Sequence, residues 1–275
     1  MRIRIVDAFT DRPFAGNPAG VVVLDGDGFP PDEWMRNVAA EVNHAETAFV
    51  HRLPAESGNV PAADWALRWF TPLVEVALCG HATLATTHVL NRTGQLDGTV
   101  RYRTLSGVLT ASADAGGLIT LDFPTAPLSP VEADPELVAA LGIDHRTVLH
   151  TGPSTDDLLF EVADEKTVRA LTPDLRAVGR LTRRGVIVTA AAGDATSGYD
   201  FVSRFFGPAV GVDEDPVTGS AHTALTPFWA ERLGRTELTG YQASPRGGLV
   251  RVSLHGDRTH LSGYAVTTID GEFLP

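Results

Sequence analysis

The sequence predicts an α+β protein made of two similar half-domains, each a curved sheet around a central buried helix. A repeated segment is the first observation behind this. Arg68-Trp69-Phe70-Thr71-Pro72 leads to Cys79-Gly80-His81-Ala82 and a helix ending at Gly94. About 136 residues on, Arg204-Phe205-Phe206-Gly207-Pro208 leads to Thr218-Gly219-Ser220-Ala221 and a helix ending at Gly234. The second observation is that both helices are apolar on more than one side. Ala82, Leu84, Ala85, Val89 and Leu90 mark one; Ala221, Ala224, Leu225, Phe228 and Trp229 mark the other. A helix buried all round belongs at the centre of its half-domain, wrapped by sheet. Third, the period is too long for a solenoid and suits two related halves with a site in the cleft between them.

The elements follow in order. Ile3 to Phe9 alternates as a strand, and Phe14-Ala15-Gly16-Asn17-Pro18-Ala19-Gly20 reads as a loop before a buried strand, Val21 to Leu24. Pro30-Pro31-Asp32-Glu33 opens a helix through about Val42, with Trp34, Val38, Ala39 and Val42 on one face. Strand resumes from Thr47, so Glu46 falls at a helix-to-strand junction. Residues 54–64 form a polar loop, and Thr99 to Phe123 reads as strands broken at Gly107 and Gly116-Gly117. The half-domains are placed at residues 1–125 and 126–275, with the last strand a candidate to return to the N-terminal half. The second repeat carries three extra residues in the acidic stretch Asp213-Glu214-Asp215, whose bland reading is a solvated loop.

Bulk properties exclude several classes. The formal net charge of -12 argues against nucleic acid or an anionic membrane as partner. No apolar run approaches the roughly 20 residues needed to span a bilayer. One cysteine builds no disulfide framework, so the expected compartment is the cytoplasm. The patterns GxGxxG, GxSxG, HExxH and CxxC and the P-loop are absent. The histidines show no recognised metal-ligand spacing.

The candidate chemistry gathers at the repeat and at one carboxylate. Gly80-His81 and Gly219-Ser220 each open a buried helix, where first-turn amides can hold a substrate carboxylate without any arginine. Glu46, in Asn43-His44-Ala45-Glu46-Thr47-Ala48-Phe49, has apolar neighbours, and partial burial would suit it to acid/base work. The alternative is an exposed glutamate at a strand start. Asp215 stands just before Pro216 and the helix, and His81 can orient a substrate or donate a hydrogen bond, or simply cap the helix. Cys79 reads as a small core residue. A Ser220, His81 and Asp215 triad has no support in the spacing.

At these residues the chain resembles the phenazine-biosynthesis PhzF-like family of the diaminopimelate-epimerase fold group. The resemblance runs through Val6-Asp7-Ala8-Phe9-Thr10, Phe14-Ala15-Gly16-Asn17-Pro18, Glu46-Thr47-Ala48-Phe49, Glu75 to Thr83, and Glu214 to His222. It implies two pseudo-symmetric halves of mostly antiparallel sheet, no cofactor, and commonly a homodimer. It places the catalytic set on Glu46, His81 and Asp215, and substrate binding on Gly80, Gly219, Ser220 and Asn17. The implied reaction is a glutamate-mediated proton shift on a small carboxylate, dihydro-hydroxyanthranilate-like or another secondary-metabolism acid. His44-Ala45 departs from the small apolar residue and serine of many relatives, which puts the substrate in doubt. Thr218 stands where a two-thiol epimerase would need a second cysteine. Single-base epimerisation of an amino-acid-like substrate, or ligand binding without catalysis, are the alternatives.

Overall fold

Strands outnumber helices along the chain in the computed structural model, which describes residues 1–54, 63–150 and 156–274. The polar loop expected at 54–64 therefore lies largely outside the described residues. The first elements are β1 (Arg2–Ala8), β2 (Asn17–Val23), α1 (Asp32–Val42), β3 (Glu46–Arg52), β4 (Trp65–Phe70), β5 (Glu75–Val76) and α2 (Gly80–Arg92). Next come β6 (Thr99–Thr104), β7 (Gly107–Ala113), β8 (Ile119–Pro124), β9 (Ser129–Pro130), α3 (Pro135–Leu141), β10 (His145–His150) and β11 (Asp157–Val162). Then follow α4 (Glu165–Ala170), α5 (Leu175–Leu181), β12 (Gly185–Ala191), β13 (Phe201–Gly207), β14 (Val212–Asp215) and α6 (Gly219–Leu233). The last are β15 (Glu237–Gln242), β16 (Gly248–His255), β17 (Arg258–Gly263) and β18 (Ala265–Glu272). Among the described residues no helix is long and apolar enough to cross a membrane.

The chain divides into two compact units. One is Met1–Phe123 with Ser262–Pro275; the other is Pro124–Leu261. In the first, β1 runs antiparallel to β2, β2 parallel to β3, and β3 antiparallel to β4. Strand β4 then pairs antiparallel with the short β5 and parallel with β6, which turns back into β7. The second unit repeats this order of pairings: β10 antiparallel to β11, β11 parallel to β12, β12 antiparallel to β13. Strand β13 pairs antiparallel with β14 and parallel with β15, which turns back into β16. The acidic stretch Asp213-Glu214-Asp215 is thus no loop. It is strand β14, the counterpart of β5.

Each unit places a long helix against its sheet. Helix α2 buries nine of its residues, from His81 to Leu90, and α6 buries ten, from Gly219 to Ala230. Threonines there would leave hydroxyls in a dry core, but each bonds back to a carbonyl of its own helix. Thr86 Oγ1 donates to the Ala82 carbonyl at 2.7 Å, Thr87 to Thr83 at 2.8 Å, and Thr226 to His222 at 2.6 Å. Pro227 inside α6 removes the bond to the Thr223 carbonyl, which accepts instead from the Ala126 N–H at 3.2 Å. In the first unit α1 forms a separate core, with Met35, Val38 and Ala39 buried against Val22, Phe49 and Phe70. Trp34 and Val42, expected on the buried face, are partly covered at its margin. In the second unit, α3, α4 and α5 occupy the corresponding role around Phe160, Val186 and Phe206.

The repeated Arg-aromatic-Phe motif has one structural purpose in both units. Arg68 on β4 grips Glu75 on β5 with two hydrogen bonds of 2.7 and 2.6 Å. Arg204 on β13 grips Glu214 on β14 with bonds of 2.6 and 2.8 Å. Each guanidinium also lies over the phenylalanine two residues on, at 5.0 Å from Phe70 and 4.8 Å from Phe206. These bidentate clamps tie the strand before each long helix to its sheet. Arg204 is the deeper of the two and also donates to the Leu171 carbonyl at 2.7 Å. Arg204→Met is expected to cost about 3 kcal/mol, since it strips partners from a shielded carboxylate and a carbonyl. Arg68→Met, at a wetter clamp, should cost clearly less. Urea denaturation of the two variants beside the wild type checks the order.

Candidate active site

The starts of strands β2 and β3 lie side by side in parallel register, with Ala19 opposite Glu46. Glu46 opens β3 because α1 ends at Asn43 in the left-handed conformation, φ 54°, which turns the chain back toward the sheet. Asn17 opens β2 and is fully buried. Helix α2 packs on β2, and its second residue, His81, reaches both strand starts. Asn17 Nδ2 lies 3.2 Å from His81 Nδ1, Glu46 Oε2 lies 3.3 Å from His81 Nε2, and Cys79 Sγ lies 3.6 Å from Nδ1. Three of the predicted residues, Asn17, Glu46 and His81, are therefore together, with Gly80 as the first residue of the same helix.

The protonation of this group follows from its geometry. His81 is only 5% exposed, and burial pushes its imidazole down to about 3, with His44 acting in the same direction. The ring is neutral at pH 7 and holds one proton. An amide nitrogen can only donate, so Nδ1 accepts from Asn17 and the proton sits on Nε2. Nε2–H thus faces the Glu46 carboxylate, in an offset contact rather than an aligned hydrogen bond. The Glu46 side chain is 17% exposed, neither the freely solvated glutamate of the bland reading nor a sealed one. Its carboxylate can meet both a ligand and a fixed neutral donor.

The other candidates fall in the second unit. Asp215 ends β14, and its Oδ2 accepts from Thr218 Oγ1 at 2.5 Å. Gly219 is buried at the start of α6, and Ser220 follows it, partly covered. Ser220 Oγ accepts from Arg184 Nη2 at 2.7 Å. Helices α2 and α6, like α1, have no side-chain cap, whereas α3, α4 and α5 are capped by Asp134, Asp164 and Asp174. The two long helices thus keep the positive end of the dipole clear of a capping carboxylate.

A family model described as phenazine biosynthesis-like protein, PhzC-PhzF, matches residues 6–271. The chain belongs to this family. A relative from Halalkalibacterium halodurans, named an uncharacterized isomerase, is 44% identical over 275 residues, 99% of this chain and 98% of its own. A solved PhzF-family phenazine biosynthesis protein from Enterococcus faecalis is 40% identical, with a TM-score of 0.87 and 99% of both chains covered. The structure of a probable proline racemase from Agrobacterium radiobacter shares the fold alone, at 14% identity and a TM-score of 0.63 over 99% of this chain and 92% of that one. The PhzF chain is accordingly an isomerase-type enzyme with a diaminopimelate-epimerase-like fold.

Three residues of this PhzF protein escaped the sequence reading. Gln242 is fully buried and clamps the turn before α6, accepting from the Thr218 N–H at 2.8 Å and donating to the Asp215 carbonyl at 2.7 Å. Arg184 brings a guanidinium to Ser220 at the start of α6, where the sequence reading expected no arginine. It stacks over Phe205 at 5.2 Å and is held by the fully buried Asp157, the third of these residues. Nothing in spacing links Asp157 or Arg184 to Ser220, because they come from β11, the bend before β12 and α6. The grouping of Glu46, Cys79 and His81, whose donor atoms lie within 4.8 Å of one another, was equally invisible to a search for metal-ligand spacing.

His222 matches Thr83 in the repeat and does the same job. Its Nδ1–H donates to the Thr218 carbonyl at 2.8 Å, as Thr83 Oγ1 donates to the Cys79 carbonyl at 2.6 Å. Burial pushes His222 down to about 4, with the Thr218 bond opposing. Both His81 and His222 thus lie below their unfolded value of 6.5, so the unfolded chain binds protons first on acidification. Their contribution to stability is complete above about pH 6.5 and falls as the pH drops, by up to ~1.4 kcal/mol per pH unit for each ring. Urea denaturation between about pH 7 and 5, where carboxylates stay ionised, should show this fall. His222→Gln should make the slope shallower, whatever it does to stability at pH 7.

Proposed function

We propose that this PhzF-family protein is an acid/base isomerase in which Glu46 shifts a proton between two carbons of a small carboxylate-bearing substrate. The substrate class is dihydro-hydroxyanthranilate or a related secondary-metabolism acid. The observation that carries the reading is the partly exposed Glu46 carboxylate beside a dry, neutral His81 whose tautomer Asn17 fixes. A proton shift needs an acidified C–H, a base and an acceptor carbon. Glu46 takes the proton from one carbon, holds it as the carboxylic acid, and returns it to another carbon of the substrate on the same face. His81 stays neutral throughout and acts as a hydrogen-bond donor through Nε2–H, which keeps the proton traffic on Glu46.

Asp215 and Ser220 are assigned to orienting the substrate's polar groups, and Gly80 and Gly219 to the backbone positions that hold its carboxylate. The uncapped starts of α2 and α6 support that assignment, as does the Arg184 charge in a chain whose net charge is -12. Two-thiol epimerisation has no second thiol. Thr218 takes that place, and its hydroxyl proton is given to Asp215.

The test is solvent-deuterium incorporation, read by mass spectrometry in heavy water over cyclic and amino-acid carboxylates that include dihydro-hydroxyanthranilate. Glu46→Gln should slow incorporation by about 10³-fold or more, with ligand affinity nearly unchanged. Full activity in Glu46→Gln ends the proposal. Ligand binding by the wild type with no incorporation anywhere on the panel favours a binding protein instead.

A further inference from the structure

Glu46, Cys79 and His81 bring three different metal-ligating atoms to one place: a carboxylate oxygen, a thiol sulfur and an imidazole nitrogen, all within 4.8 Å of one another. Their elements set the distance. Cys79 is the residue on which α2 begins, His81 is two positions on, and Glu46 opens the strand beside them. Cys79 and His81 are buried and Glu46 stands at the open edge, so a cation would enter past the carboxylate. We propose that this trio is a binding site for a thiophilic divalent cation, Zn²⁺ in the first instance, and that its occupancy switches the enzyme off.

The donor set decides the metal. Thiolate, imidazole and carboxylate together suit zinc, with the fourth position left open, whereas Mg²⁺ and Ca²⁺ require oxygen cages. Donors on a tetrahedral zinc sit about 3.5 Å apart, so a group already within 4.8 Å needs a shift of roughly an ångström to close. His81 Nδ1 is the ring nitrogen facing Cys79, at 3.6 Å, and a cation bound there takes over the lone pair that now accepts from Asn17. Glu46, now 3.3 Å from Nε2, completes the set by turning its carboxylate toward the Nδ1 edge. Asn17, at 3.2 Å from the same nitrogen, can turn its carbonyl oxygen toward the cation. On binding, Cys79 loses its thiol proton to solvent. Thiolate and carboxylate then carry two negative charges against two positive ones, and the loaded site is neutral, as a low-dielectric pocket demands.

The site stands on these contacts alone, while its inhibitory effect rests on the role proposed for Glu46. A bound cation ties up the carboxylate that would take the proton. The binding experiment keeps the two separable, because it needs no substrate.

Co²⁺ titrated into the reduced full-length chain is the probe. The chain has one cysteine, so any thiolate-to-cobalt charge-transfer band reports Cys79. The expected result is a band saturating at one equivalent, removed by equimolar Zn²⁺ and untouched by excess Mg²⁺. Cys79→Ser should abolish it, and Glu46→Gln and His81→Asn should each weaken Co²⁺ affinity by at least about tenfold. No band in the wild type overturns the proposal. So does wild-type affinity in either ligand variant, which would leave only a solitary thiol. Glu46→Gln keeps the side-chain shape at the open edge of the site, so it decides the matter even where His81→Asn fails to fold.

Discussion

A helix with no wet face must account for every polar atom it carries, and both units of this chain are organised around such a helix. In α2 and α6 the threonine hydroxyls return to carbonyls of the same helix. The bond that Pro227 removes is replaced by an N–H from Ala126. With its hydroxyls satisfied internally, a helix can be enclosed by strands on several sides at once. The strand pairings repeat in both units because each must cover the same object. The Arg68–Glu75 and Arg204–Glu214 clamps secure the strand that leads into each helix.

The site inherits its character from that enclosure. A histidine at the beginning of a buried helix has no water to stabilise its charge, so His81 is neutral and its proton position is dictated by Asn17. An exposed histidine beside a glutamate would form a fluctuating ion pair. Here the same two residues divide their duties, one fixed in its protonation and the other open to a ligand. The second unit keeps the architecture with different chemistry. Where α2 has Cys79 and Thr83, α6 has Thr218 and His222, and the same helix-start carbonyl receives the side-chain bond in each.

Local repetition made most of this readable in advance. The glycines at both helix starts, the paired Arg-aromatic-Phe motifs and the all-round apolar helices each leave a mark at fixed spacing, and they led directly to two similar α+β halves. Glu46 and His81 were legible as single candidates, and their contact is a product of the fold. The acidic stretch before α6 reads as a loop because three carboxylates in a row carry no strand pattern, whereas it is strand β14, with Glu214 bound by Arg204 from the neighbouring strand. Helices α3, α4 and α5 escaped notice for a different reason. At six or seven residues they are shorter than two turns, too short for a 3.6-residue period to establish itself. Gln242, Asp157 and Arg184 act across long sequence separations, where no spacing rule reaches.

Strand β18 lies along β1 from Ala8 opposite Ala265 to Arg2 opposite Glu272, and Met1 and Phe273 exchange backbone hydrogen bonds of 3.0 and 2.6 Å. The unit that begins the chain is therefore also the one that ends it. During synthesis the ribosome delivers β1 early, but its partner on that edge emerges some 260 residues later. The inserted unit, continuous from Pro124 to Leu261, has its whole sequence in hand first. The unit holding Glu46 and His81 must wait with an open strand edge until β18 has followed the whole of the other unit, and the order in which the halves mature is the reverse of the order in which they start.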